Sequence, residues 1–319
     1  MTNEMEKCYL LNFDRDIKTT SIDWLWNPYI PYGKITIVQG DPGSGKTMMA
    51  SKILSELSNG NSLGNLDEKI EPIVSIYLTG EDGLGDTIKP RLEMFNADCK
   101  YIYSIDDTDS PLTMKDKRIE DAIEKTNARV LVLDPIQAYL GTQVDMHRAN
   151  EVRPVLKHLG GIADKYNVAV LLIGHMNKGS SKAMYRGLGS VDFAAYARSI
   201  LTIGKVKDKE DVRAIIHTKS SLAPAGPSLA FSLTEQDGFT WLGEYEISES
   251  DLFEGGSGTS KLTQAIGLID SLLKNGPIST NDVMQEAKKQ GIGKTTMNAA
   301  KVKNNIKSVR MNDVWYWSK

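Results

Sequence analysis

The segment ITIVQGDPGSGKTMMASKILSEL, residues 35–57, constrains the fold more than any other stretch of this 319-residue chain. It opens with a short apolar run rich in β-branched residues, 35–39, which reads as a buried strand. Gly40, Asp41, Pro42, Gly43, Ser44, Gly45, Lys46 and Thr47 follow and match G-x-x-x-x-G-K-[ST] in full. Met48 and the residues after it have helical apolar spacing. Glycines let such a loop curl until its N–H groups point at phosphate oxygens, and the helix N-terminus adds a dipole favourable to an anion. In a strand–loop–helix of this kind Lys46 is expected to reach the β- and γ-phosphates of a nucleotide, and Thr47 to ligate Mg²⁺.

The chain around this unit reads as an α/β domain. Further strands are expected at 73–80, 101–105, 129–134 and 168–174, with helices over 84–95 (Pro90 as a possible kink), 114–125 and 151–166. The runs RVLVLD and VAVLLIG are continuously apolar, as in strands buried on both faces of a parallel sheet. Strands alternating with helices imply right-handed crossovers. Beyond residue 198 the pattern becomes consecutive strands, SILTIGKV, VRAIIHTK, SLAFSL and FTWLG, which should extend the sheet in an antiparallel sense.

Ligands of parallel sheets bind at the carboxyl ends of strands, and three polar groups are expected there. Asp134 ends RVLVLD, where a carboxylate can hold Mg²⁺ through water beside Thr47. Glu81, in TGEDG, is the candidate general base for an attacking water; the same residues also suit a polar turn, with Asp82 as a helix cap. His175, closing VAVLLIGH, is a candidate γ-phosphate sensor, or a satisfied core histidine. The Gly/Ser-rich loop after it carries Lys178, Lys182 and Arg186. Such a loop suits contact with nucleic-acid phosphates, or an arginine reaching a neighbouring subunit's nucleotide. The aromatic cluster Trp24, Trp26 and Tyr29 suits packing of an N-terminal segment onto the sheet.

Residues 291–297, GIGKTTM, imitate the tail of the first motif. Lys288 stands where the first glycine is required, and the preceding VMQEAKKQ is helical and charged rather than a buried strand. We therefore expect the turn of a helix-turn-helix instead of a second nucleotide site. Helices over 262–274, 280–290 and 294–305 and a hairpin around MND suggest a winged helix-turn-helix. Residues 261–319 carry +6 while the whole chain carries −3, leaving −9 on the remainder. A basic tail on an acidic body suits an anionic partner. Lys294, Lys301, Lys303, Lys307 and Arg310 could meet phosphates, and Thr295, Thr296 and Asn298 base edges; docking to a protein is the alternative. The expected division is an ATPase domain at 1–247, a Ser/Gly/acidic linker at 248–260 and a winged-helix domain at 261–319.

Nothing in the first residues resembles an export signal, no apolar run is long enough for a membrane span, and the two cysteines, Cys8 and Cys99, suit a reducing compartment. A cytoplasmic protein without a membrane partner is expected. The four histidines have no zinc-ligand spacing with the cysteines.

Together, GDPGSGKT, TGEDG, LVLDPIQAYLG, LLIGHMNKG and YRGLGSVDFAAYARS resemble the RecA-like ATPases of the RepA hexameric-helicase type, over roughly residues 20–245. The resemblance implies ATP and Mg²⁺ as cofactors and a homo-oligomeric ring, such as a hexamer, with sites between subunits. It supports Glu81 as base and His175 as sensor, and implies an arginine acting in trans, with Arg186 the best match and Arg198 the next. It also implies a DNA helicase or translocase of a mobile element, with single-stranded DNA in the ring and duplex at the winged helix. Two rivals stand beside it: an ATP-driven loader or regulator without unwinding activity, and a DNA-binding regulator whose ATPase controls assembly.

Overall fold

The computed structural model describes residues 10–63, 68–175, 191–236, 238–253, 261–304, 306–311 and 314–318. The chain divides into two compact units, Met1–Lys205 with Asp211–Glu246, and Val206–Glu210 with Ile247–Lys319.

In the larger unit, β1 (Trp24–Trp26) and β2 (Ile30–Pro31) form a small antiparallel pair. Then come β3 (Ile35–Gly40), α1 (Lys46–Ser58), β4 (Ser75–Thr79), α2 (Lys89–Met94), β5 (Ile102–Tyr103), α3 (Lys117–Thr126) and β6 (Val130–Asp134). After them follow α4 (Ala149–Tyr166), β7 (Ala169–His175), α5 (Val191–Tyr196), β8 (Ser199–Lys205), β9 (Val212–Ser220), β10 (Leu229–Thr234) and β11 (Gly238–Glu244). Nine of these strands form one sheet in the order β11-β10-β9-β8-β3-β7-β6-β4-β5. The strands from β8 to β5 in that order pair in parallel, while β9, β10 and β11 continue the sheet antiparallel. The fold is therefore mixed α/β with a large, mostly parallel sheet.

Successive residues of the central strands serve opposite faces. Ile37, Leu131, Leu133 and Leu172 join one core with Ile119 and Ile123 of α3 and Val152, Val155 and Leu159 of α4. Val38, Val132, Leu171 and Ile173 join the other with Met49, Ile53 and Leu57 of α1. Covering both faces is what makes these strands continuously apolar in sequence. The aromatic cluster near the N-terminus packs as expected: Trp26 and Tyr29 are buried, Trp26 meets Trp241 edge-on at 5.5 Å, and the Tyr29 hydroxyl donates to the Pro227 carbonyl at 2.7 Å.

Two local expectations need correction. The helix anticipated over 84–95 is a π-helical turn, Leu84–Ile88, leading into α2. Pro90 sits in the first turn of α2, directly after that π-helical turn. Within the anticipated linker, Glu249–Phe253 forms a short helix, α6. Ser248 explains it: its Oγ accepts from the Asp251 N–H at 3.2 Å and donates to Oδ2 of Asp251 at 2.5 Å, while Oδ2 accepts from the Ser248 N–H at 3.2 Å.

The smaller unit continues with α7 (Lys261–Leu272), β12 (Ile278–Ser279), α8 (Thr280–Lys289), α9 (Lys294–Lys303), β13 (Lys307–Met311) and β14 (Val314–Ser318). Its sheet runs β12-β14-β13, both pairs antiparallel. Its core gathers Ala265, Leu268, Ile269, Val283, Ala287, Met297 and Trp317. The segment anticipated as a plain turn before α8 contains β12, because Ile278 pairs with Trp317. Among the described residues no helix is long and apolar enough to cross a membrane.

Candidate functional site

The fully buried β3 holds one end of the glycine-rich loop and α1 the other. Gly43 and Gly45 have φ of +71° and +92°, in the left-handed region that glycine tolerates best. Gly45 is also crowded: a Cβ there would lie 3.0 Å from Cδ1 of Leu233 and 3.2 Å from the Phe231 ring. The antiparallel strand β10 thus presses on the loop from the side, and Leu233 joins the cavity wall.

Lys46 is 5% exposed, and its Nζ donates to the carbonyls of Gly40 and Asp41, each at 2.9 Å. Burial lowers its pKa, opposed by the carboxylates of Asp134, Asp41 and Glu81. Among the described residues its ammonium bonds carbonyl dipoles and no carboxylate, which leaves its charge available to an anion. The Thr47 hydroxyl donates to Oδ2 of Asp134 at 2.7 Å. The Tyr77 hydroxyl donates to the same oxygen at 2.7 Å, and burial first, then Asp134, pushes the Tyr77 pKa up, which keeps it a donor.

β4 and β6 are neighbours in register, with Thr79 opposite Asp134, so TGEDG emerges beside Asp134. The Gly80 N–H donates to the Asp134 carbonyl at 3.0 Å. Glu81 projects with a side chain 65% exposed, its Oε2 3.9 Å from Nε2 of His175 at the end of β7. Nδ1 of His175 and Oγ of Ser44 are buried without a hydrogen-bond partner among the described residues.

These groups line one cavity of about 280 Å³, formed by Gly43, Gly45, Lys46, Thr47, Met48, Thr79, Glu81, Asp82, Arg91, Asp134, Pro135, His175 and Leu233. The structure thus gathers Lys46, Thr47, Glu81, Asp134 and His175 at the carboxyl ends of β3, β4, β6 and β7. Gly40, Asp41, Pro42 and Ser44 complete the loop. Arg198 is not in this cavity. It precedes β8, and its N–H donates to the Ile35 carbonyl at 3.0 Å, at the amino end of the sheet. Arg186, Lys178 and Lys182 lie outside the described residues. Sequence reasoning missed Tyr77, Thr79, Arg91 and Leu233. Only Tyr77 carried a signal, as a polar hydroxyl within an apolar strand.

The second Gly-x-Gly-Lys-Thr has different surroundings. Helix α8 precedes it, not a strand, and Lys294 opens α9 with its side chain exposed.

Residues 7–181 match the family model described as AAA domain. The chain belongs to the AAA domain family. Its core is a RecA-like P-loop ATPase domain. Curated relatives of this AAA domain chain include the DNA repair and recombination protein RadB of Methanoculleus marisnigri, 26% identical over 223 residues, covering 68% of this chain and 93% of RadB. The DNA repair protein RadA of Halalkalibacterium halodurans is 26% identical over 148 residues, covering 46% of this chain and 28% of RadA. RadA of Streptococcus pneumoniae is 24% identical over 148 residues, covering 46% and 31%. The chain thus spans less than a third of the length of these RadA proteins. Among solved structures, a KaiC-like protein of Pyrococcus horikoshii OT3 superposes with a TM-score of 0.48 at 18% identity, covering 66% of this chain and 90% of that one.

The residues of this AAA domain fit the nucleotide and Mg²⁺ that P-loop ATPases take. Among the described residues, the loop offers a buried ammonium, a Ser44 hydroxyl without a partner and open space at Gly43, where a Cβ would meet nothing within 4 Å. Thr47 and Asp134 supply the hard oxygen donors that Mg²⁺ prefers.

Proposed function

We propose that this chain hydrolyses ATP in an oligomeric ring such as a hexamer, and uses the cycle to move along or unwind DNA, as a helicase or translocase of the RepA type. The observation that carries the reading is the convergence of Lys46, the Thr47–Asp134 pair, Glu81 and His175 in one cavity. Lys46 binds and orients the β- and γ-phosphates, leaving its two carbonyl partners as it does so. Thr47 and Asp134 hold the metal, which supplies charge neutralisation at the phosphate oxygens when bound. Glu81 orients the attacking water and accepts its proton, and its exposed carboxylate can reach that water without unfolding anything. His175, beside Glu81 at the end of β7, reports the γ-phosphate to the chain that follows it. Arg186, or failing that Arg198, completes a neighbouring subunit's site in trans.

The DNA assignment is supported by the similarity to RadA, a DNA repair protein, and RadB, a DNA repair and recombination protein. It is also supported by the smaller unit, in which α7, α8, α9 and the three-stranded sheet suit a winged helix. We read 261–319 as that domain, joined by 248–260 to an ATPase domain at 1–247, with α9 as its recognition helix and duplex DNA as its ligand. The replication or recombination of a mobile element is the setting this suits.

Phosphate release with and without single-stranded DNA, beside strand displacement and mass measurement with and without ATP, tests the reading. DNA-stimulated hydrolysis with strand displacement by an ATP-stabilised oligomer is the expected result. Hydrolysis indifferent to DNA would overturn it in favour of a loader, and sequence-specific footprints without displacement in favour of a regulator.

A further inference from the structure

We propose that Arg91 is a positioning residue for Glu81, acting through Asp82. The inference rests on Glu81 as the general base, and it adds what holds that base in place.

Glu81 has little of its own to fix it. Its Oε2 lies 3.9 Å from Nε2 of His175, beyond hydrogen-bond distance, and its side chain is 65% exposed. The backbone on either side is held. Upstream, Gly80 donates to the Asp134 carbonyl and packs so tightly that a Cβ would lie 2.2 Å from Cβ of Ala138. Downstream, Oγ1 of Thr79 accepts from the Asp82 N–H at 3.1 Å and donates to the Asp82 carbonyl at 2.9 Å. Nη1 of Arg91 then donates to Oδ2 of Asp82 at 2.5 Å.

The π-helical turn brings Arg91 back to that position. Both the Thr87 and Ile88 N–H groups donate to the Gly83 carbonyl, at 3.2 and 3.0 Å, and the Ile88 bond is the wide i to i+5 kind. Such turns are rare and concentrate at functional sites. Ile88 and Leu92, 3% and 5% exposed, anchor the turn and α2 in the core beneath α1. Arg91, next to Leu92, is therefore held by a packed helix, and the loop bearing Glu81 is tied to it. Arg91 and Asp82 are themselves 30% and 38% exposed, so their ion pair adds little to folding stability. Its effect should appear in where Glu81 sits.

The test is steady-state ATP hydrolysis by the full-length protein with Asp82→Asn, Arg91→Ala, Arg91→Lys and the Asp82→Asn/Arg91→Ala double variant, with Glu81→Gln alongside. Misplacing a reacting group by an ångström costs up to about a hundredfold. We expect each of Asp82→Asn and Arg91→Ala to lower kcat by roughly tenfold or more with KM and melting temperature unchanged. The double variant should be no slower than the worse single one, because both remove the same contact. Arg91→Lys should recover part of the rate. A rise in KM at unchanged kcat would show that Arg91 touches nucleotide instead, and multiplicative losses would show independent roles; either overturns the inference. Should Glu81→Gln keep wild-type turnover, the base assignment fails and takes the inference with it. An inactive Glu81→Gln beside a fully active Arg91→Ala would remove the inference alone.

Discussion

The Thr47 hydroxyl and the Asp134 carboxylate lie 2.7 Å apart, joining the first turn of α1 to the end of β6 across 87 residues of sequence. The Tyr77 hydroxyl bonds the same carboxylate oxygen from β4. One acidic side chain thus ties the phosphate loop to the strand that presents Glu81. A change at any of the three should be felt at the others.

The two look-alike lysines should separate cleanly. Lys46→Ala removes a buried ammonium held over the loop, and phosphate release should fall by about 10²–10³-fold or more. Lys294→Ala changes an exposed residue at the start of α9, and hydrolysis without DNA should be unchanged. Duplex binding by the Lys294→Ala protein should weaken, and its salt slope become shallower by about one unit. Loss of DNA-free hydrolysis in Lys294→Ala would make the second motif a nucleotide site after all.

Glu81→Gln should bind ATP nearly as well as the parent while turnover falls by about 10²–10⁴-fold. The side chain is exposed and bonded to no other described group at hydrogen-bond distance, so the substitution disturbs chemistry rather than packing. Nucleotide titration and single-turnover hydrolysis on the same sample check both halves.

Arg186→Ala should be inactive alone yet regain partial activity when mixed with Lys46→Ala protein. Mixed rings contain interfaces with an intact loop from one subunit and an intact arginine from its neighbour. Mixtures that never exceed the sum of the two variants would dismiss the trans role and turn attention to Arg198.

Stability should fall as pH drops below about 6.5 through His217. Its Nε2 lies 3.0 Å from Oγ of Ser199, which itself donates to the Tyr29 carbonyl at 2.6 Å, and its Nδ1 accepts from the Gly226 N–H at 3.0 Å. That arrangement suits the neutral ring, and burial lowers its pKa from the ordinary 6.5, outweighing a Lys219 backbone contact that favours charge. Between the lowered value and 6.5 the unfolded chain binds more protons, so unfolding free energy rises with pH across that window and is fully present above it. Urea denaturation across the window should show this slope, and His217→Gln should flatten it.

The sequence alone determined the parts of this protein that depend on neighbours in the chain. The buried strands were legible because both faces are covered, so their apolar runs are unbroken. The phosphate loop was legible because its glycines, lysine and threonine are consecutive between a strand and a helix, and the second motif was legible as different because no strand precedes it. Asp134 and His175 are legible as polar residues ending apolar strands and Glu81 as one just past a strand, positions that the parallel sheet brings to one edge.

Tertiary structure decided what depends on separation. Tyr77 holds Asp134 from 57 residues away, and β10 places Phe231 and Leu233 against Gly45 only after the antiparallel strands have folded back beside β8. Arg91 reaches Asp82 because a π-helical turn shifts the helix phase, and nothing in local apolar spacing encodes that shift. The two-residue β12 exists because Ile278 finds Trp317. Local periodicity records which face of an element is buried; which side chains then meet is set by sheet order and register, through contacts between residues far apart in the chain.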